Sequence, residues 1–133
     1  MYKGSCFCGA VKYELRGELN TLTYCHCTRC RKASGSAFAA NATVAQSAFE
    51  FVTGTNELTT HSTATGVHRM FCSVCGSPLI SRRDAVPGVL RLRLGTLDTP
   101  ISERPMGHYF VASKADWHEI QDSLPQHADR LAS

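Results

Sequence analysis

Apolar and polar residues alternate along much of this chain with a period of two, in short runs. The clearest run is Val11-Lys12-Tyr13-Glu14-Leu15, which stops at Gly17. Alternation of this kind places one side of an extended segment in a core and the other in water. The same reading predicts strands over residues 36–44, 49–52, 58–64, 67–71, 78–81, 89–97 and 109–111. In the longest of these, Leu90, Leu92 and Leu94 fall on one face and Arg91 and Arg93 on the other.

Helical periodicity is scarce. Residues 28–34 predict a turn or two of helix ended by Gly35, a residue suited to the left-handed conformation that closes helices. Ser113 predicts a cap for a single turn over 113–117. Residues 122–133 are polar and predict a partly ordered tail. The expectation is an all-β domain of small antiparallel sheets, with any chemistry at the loops between strands. A chain of 133 residues fits one domain over 1–133, and 43% hydrophobic content supplies a core without disulfides. No apolar run approaches the roughly 20 residues of a membrane helix.

The seven cysteines change the picture most. They form three clusters: Cys6 and Cys8; Cys25, Cys27 and Cys30; Cys72 and Cys75. If each cluster stays whole, the sensible division is four and three. Four thiolates close a tetrahedral structural zinc site, and three protein ligands leave a fourth position for water or substrate. The expected cofactor is zinc, two ions per chain, with iron the rival in the four-thiolate site. Cys6 and Cys8, in extended backbone, point to one side while Phe7 faces away. Cys72-Ser73-Val74-Cys75-Gly76 predicts a tight knuckle, with Gly76 supplying a positive φ.

An odd cysteine count leaves one thiol over in any disulfide scheme. The N-terminal residues show no apolar leader, so a reducing cytoplasm is the expected location. Thiol–disulfide chemistry at Cys72/Cys75 or Cys27/Cys30 is the competing reading.

The formal charge is +3. Two zinc ions would add four positive charges and seven thiolates would remove seven, which brings the total to zero. Net charge therefore gives no support to a nucleic-acid role. A local basic group remains at Arg29, Arg31 and Lys32, beside the three-cysteine cluster. These three are the candidate substrate-binding residues, suited to an anionic group.

The histidines are individually weak signals. His26, between two same-side cysteines, should face away from the metal. His68 and His108 are the candidates for a fourth ligand that would close the second site. His61, His118 and His127 read as surface groups.

Three ordered segments carry a family resemblance. They are Gly4-Ser5-Cys6-Phe7-Cys8-Gly9-Ala10-Val11, Cys25-His26-Cys27-Thr28-Arg29-Cys30-Arg31-Lys32 and Arg69-Met70-Phe71-Cys72-Ser73-Val74-Cys75-Gly76-Ser77. The pattern resembles the glutathione-dependent formaldehyde-activating enzyme (GFA) family, a group that includes centromere protein V. Lys114-Ala115-Asp116-Trp117 is similar to the family's closing lysine-to-tryptophan segment, with Asp116 where proline is usual. The resemblance covers about residues 4–118. It implies an all-β fold of stacked small sheets, a structural zinc on Cys6, Cys8, Cys72 and Cys75, and a more labile zinc on Cys25, Cys27 and Cys30. It implies a carbon–sulfur lyase whose founding activity joins formaldehyde to glutathione, giving S-hydroxymethylglutathione. On this reading Cys25, Cys27 and Cys30 hold the catalytic zinc, and the partner is a small thiol or thiol adduct. The alternative is a zinc-stabilised binding module without catalysis.

Overall fold

The computed structural model describes residues 1–130. They form two sheets, one α-helix and several 3-10 turns. The chain packs as two compact units. One comprises residues 1–20 and 42–102, the other residues 21–41 and 103–133.

In the first unit, β1 (Tyr2–Ser5), β2 (Lys12–Leu15) and β5 (Phe49–Thr53) make an antiparallel three-stranded sheet in the order β1-β2-β5. Tyr2 lies opposite Leu15, and Leu15 opposite Phe49. The alternation seen in the sequence works as expected here, because Tyr13 and Leu15 are buried while Lys12 is exposed. The Tyr13 ring stacks on Phe49 at 5.0 Å between centroids. It also explains Gly4, where an added Cβ would lie 2.1 Å from the Tyr13 ring.

The second sheet supplies the rest of this unit. β6 (Leu58–Ser62), β7 (Val67–Cys72), β8 (Pro78–Arg83) and β9 (Val89–Arg93) follow one another as antiparallel neighbours. Leu79, Ile80, Leu90 and Leu92 are buried along it. The strand expected over 89–97 stops at Arg93, and a 3-10 turn takes Leu94–Thr96. Leu94 thereby leaves the Leu90–Leu92 face. Arg93 is buried instead of solvated, and its guanidinium donates to Ser81 Oγ at 3.3 Å.

In the second unit, β3 (Asn20–Cys25) lies between β10 (His108–Tyr109) and β4 (Ala39–Ala45), a strand whose later residues belong to the first unit. β10 runs parallel to β3, so the expectation of purely antiparallel sheets fails here. Helix α1 (Thr28–Ser34) has the predicted bounds, with Gly35 in the left-handed conformation accepting the chain out of it. The turn predicted over 113–117 does not form as such. The 3-10 turn comes earlier, at Val111–Ser113, after Phe110 in a left-handed conformation. Ser113 Oγ donates to the carbonyls of His26 and Phe110, so it caps no helix N–H group.

The polar C-terminal segment is tied down as far as it is described. His108 N donates to Pro125 O, His127 N to His108 O, and Phe110 N to Asp129 O. The remainder of the expected tail, residues 131–133, lies outside the described residues. Among the described residues, no helix is long and apolar enough to cross a membrane.

Candidate metal centres

Two of the hairpin loops in the first unit carry cysteines. The turn between β1 and β2 holds Cys6 and Cys8, and in the hairpin of β7 and β8 Cys72 ends β7 while Cys75 lies in the turn. The sequence reading took Cys6-Phe7-Cys8 as extended. It is a tight turn, closed by Gly9 N donating to Cys6 O at 3.1 Å. Gly9 and Gly76 both have φ near +80°, where a side chain would be strained. Gly76 N closes the other turn onto Cys72 O at 2.8 Å. Each turn lifts its outer residue into solvent, with Phe7 91% and Val74 63% exposed. The sulfurs face inward. The Sγ atoms of Cys6, Cys8, Cys72 and Cys75 all lie within 4.8 Å of one another. Ser77 links the two turns: its Oγ accepts from Phe7 N at 2.9 Å and lies 3.4 Å from Cys75 Sγ.

The second group sits within the second unit, at one junction. Cys25 is the last residue of β3, Cys27 is the N-cap of α1, and Cys30 lies in the first turn of that helix. Their sulfurs also lie within 4.8 Å of one another. Cys27 Sγ accepts the backbone N–H of Cys30 at 3.2 Å, which orients it as a thiolate would be oriented. No fourth histidine, cysteine or carboxylate joins this group among the described residues.

The protonation balance shows what each cluster lacks. Hydrogen bonds with Cys25 and Cys30, and with the backbone, pull Cys27 far below the ordinary thiol range. Contacts with Cys25 and Cys27 push Cys30 far up, and contact with Cys27 pushes Cys25 up. In the other cluster, the Ser77 hydroxyl and backbone hold Cys75 at about 5 while Cys8 is pushed up to about 12. Clustered thiolates repel, so ionising every sulfur in either group requires a cation. Soft sulfur donors grouped this closely suit zinc or iron. Both sets of residues fit a metal ion.

The two histidines considered as fourth ligands are otherwise engaged. His68 Nδ1 bonds Ser62 Oγ at 2.7 Å and its Nε2 bonds Asp84 Oδ1 at 2.9 Å. His108 Nδ1 bonds His26 Nε2 at 2.7 Å, and its Nε2 bonds both oxygens of Asp122 at 3.1 and 3.0 Å. His61 and His127 are exposed, as expected. His118 is not a plain surface group, because it stacks on His26 at 6.1 Å and meets Phe38 edge-on at 5.8 Å.

Arg29 and Lys32 are exposed on α1, and Arg31 is half-buried with its Nε unbonded. None of the three makes an ion pair among the described residues. Lys114 is not available in the same way, since its Nζ donates to the carbonyls of Ala115 and His118. Trp117 is 70% exposed beside His118.

The residues that the sequence reading missed are His26, His108 and Asp122 as a connected set. Burial pushes His26 down to about 4, with electrostatic repulsion from His108 as the next cause. The hydrogen bond from His108 holds Asp122 below the usual carboxylate range.

A mostly β chain with two cysteine clusters that could hold soft cations defines a candidate metal-binding β domain. The family model described as glutathione-dependent formaldehyde-activating enzyme matches residues 1–113, and the chain belongs to that family. Among solved structures it is similar to the crystal structure of a Rhodobacter sphaeroides protein, at 28% identity and a TM-score of 0.64. That match covers 75% of this chain and 91% of the other. No curated protein matches.

Proposed function

We propose that this protein is a zinc-dependent enzyme of the carbon–sulfur lyase type, acting on a small thiol adduct that resembles S-hydroxymethylglutathione. The observation that carries the proposal is the contrast in ligand count. Cys6, Cys8, Cys72 and Cys75 make a complete tetrahedral set, while Cys25, Cys27 and Cys30 have no fourth partner among the described residues. The family's printed name, with its glutathione and formaldehyde, supports the choice of substrate class.

The addition is simple to balance. A thiol sulfur bonds to the aldehyde carbon, the C=O becomes C–O, and the thiol proton ends on that oxygen; the lyase direction reverses each change. When bound at the open site, zinc supplies Lewis acidity and a preference for thiolate. The chain supplies the rest. Cys25, Cys27 and Cys30 would hold the ion and leave a fourth position for substrate. Arg29, Arg31 and Lys32 offer positive charge to substrate carboxylates, since no acidic side chain among the described residues pairs with them. Four-thiolate coordination at Cys6, Cys8, Cys72 and Cys75 serves the fold. A cytoplasmic location, where glutathione is reduced, fits this reading.

The test follows the thiol adduct by proton NMR at substrate concentrations where uncatalysed exchange is slow. The zinc-loaded protein is expected to accelerate exchange between glutathione, formaldehyde and their adduct. Cys30→Ser should abolish the acceleration while leaving the protein folded. Equal exchange rates with native protein and with Cys30→Ser would overturn the proposal.

A further inference from the structure

His26 stands between two cysteines of the open site, yet it takes no place among the metal-ligating atoms. Alternation along the backbone sends its ring to the side opposite Cys25 and Cys27. That side is closed, because His26 is fully buried. It is held at three atoms. Its N–H donates to Tyr109 O at 2.8 Å, its carbonyl accepts Ser113 Oγ at 3.2 Å, and its Nε2 meets His108 Nδ1 at 2.7 Å. His108 is 2% exposed and ends on the carboxylate of Asp122.

With His108 neutral, the donors and acceptors in this set admit one order. An ionised carboxylate only accepts, so His108 Nε2 carries the hydrogen that faces Asp122. A neutral His108 then has a bare Nδ1, which accepts. His26 must donate from Nε2, and its own Nδ1 is left bare. That atom is buried without a partner, as this assignment requires of a lone pair with nothing to receive. The carboxylate is fixed in turn by its own segment. Asp122 Oδ1 accepts Leu124 N at 3.0 Å, and the following residues bracket His108 through Pro125 O and His127 N.

We propose that Asp122, His108 and His26 form a positioning chain that holds the Cys25-His26-Cys27 backbone in the shape that presents both sulfurs to one ion. The C-terminal segment thereby sets the metal affinity of a site to which it gives no ligand. A carboxylate–histidine pair commonly orients a metal ligand directly. Here the pair acts one residue away, on the link between two ligands. The inference rests on the reading of Cys25, Cys27 and Cys30 as a metal site, but not on the reaction proposed there.

Asp122 is exposed, so replacing it leaves no cavity. The experiment loads the four-cysteine site with zinc and titrates cobalt into the other, in native protein, Asp122→Ala and Asp122→Asn. Asp122→Ala is expected to weaken cobalt binding about 10-fold, the lower end for loss of an outer partner. Asp122→Asn keeps an acceptor oxygen and should recover most of that loss. Nitrogen-15 NMR of labelled histidines, assigned with His26→Gln and His108→Gln, is expected to show both rings of the native protein as Nε2–H tautomers.

Cobalt affinity in Asp122→Ala within twofold of native would overturn the proposal. So would an Nδ1–H form of His26 in the native protein, whatever the variants do. Native protein that takes no cobalt beyond the four-cysteine site would instead overturn the metal reading beneath it.

Discussion

The two cysteine groups are made from similar parts and differ in how far the chain travels to assemble them. Cys6 and Cys72 come from separate hairpin turns, 66 residues apart in sequence. Cys25, Cys27 and Cys30 come from six consecutive residues at one strand–helix junction. An ion on the first set closes a long loop, which is where a crosslink opposes the most chain entropy. An ion on the second set closes almost none. The first group brings four sulfurs together, and the second brings three among the described residues. One construction favours holding a fold together, the other favours exchange at the metal.

The comparison is sharpest at Cys72, which is fully buried. Cys72→Ser should remove most of a metal contribution worth about 10 kcal/mol or more, against a typical domain stability of 5–15 kcal/mol. The expected result is loss of the cooperative thermal transition of the first unit. A shift of melting temperature of only a few degrees would break the distinction.

The second unit should respond instead to acid, through His26. Its ionisation lies near 4 in the folded chain against 6.5 when unfolded. The unfolded chain therefore takes up a proton that the folded chain refuses. This part of the stability is present above pH 6.5 and fades as pH falls toward 4. Denaturant midpoints for native protein and His26→Gln, compared at pH 7 and pH 4.5, should converge as the pH falls. A gap that stays constant with pH would show that His26 contributes only packing.

Cys30→Ser should cost less still. The protein should stay folded and lose one metal equivalent by elemental analysis. Loss of folding equal to that in Cys72→Ser would make both sites structural. The smallest effect belongs to Phe7, which is 91% exposed on its turn. Phe7→Ser should change stability by less than about 0.5 kcal/mol in chemical denaturation.

Much of this contrast was legible before the fold was known, because cysteine spacing is a local signal. The bounds of α1 were legible for the same reason, through Gly35. β1 was not, since Gly4 breaks any alternation over Tyr2–Ser5, and its reason for being glycine is the Tyr13 ring above it. β3 was missed as well. Leu22 is buried there, but Thr21 and Thr23 beside it give no marked apolar pattern. The His26–His108–Asp122 set escaped because its members are 82 and 14 residues apart in sequence, and no spacing rule links them. A histidine confined between two ligands and forced away from them did carry a weak hint that something on the other side must bond it. The polarity of residues 122–133 suggested a partly ordered tail. Polar side chains leave the backbone free to pair, and it does, along 108–112.

The central claim is that the three-cysteine site keeps a coordination position for a thiol. It is tested most directly with zinc in the four-cysteine site, cobalt in the other, and a titration of glutathione against a neutral thiol. Sulfur-to-cobalt absorption should rise with glutathione at lower concentration than with the neutral thiol. Arg31→Ala and added salt should both weaken the response. An unchanged cobalt spectrum at millimolar concentrations of either thiol would contradict the account.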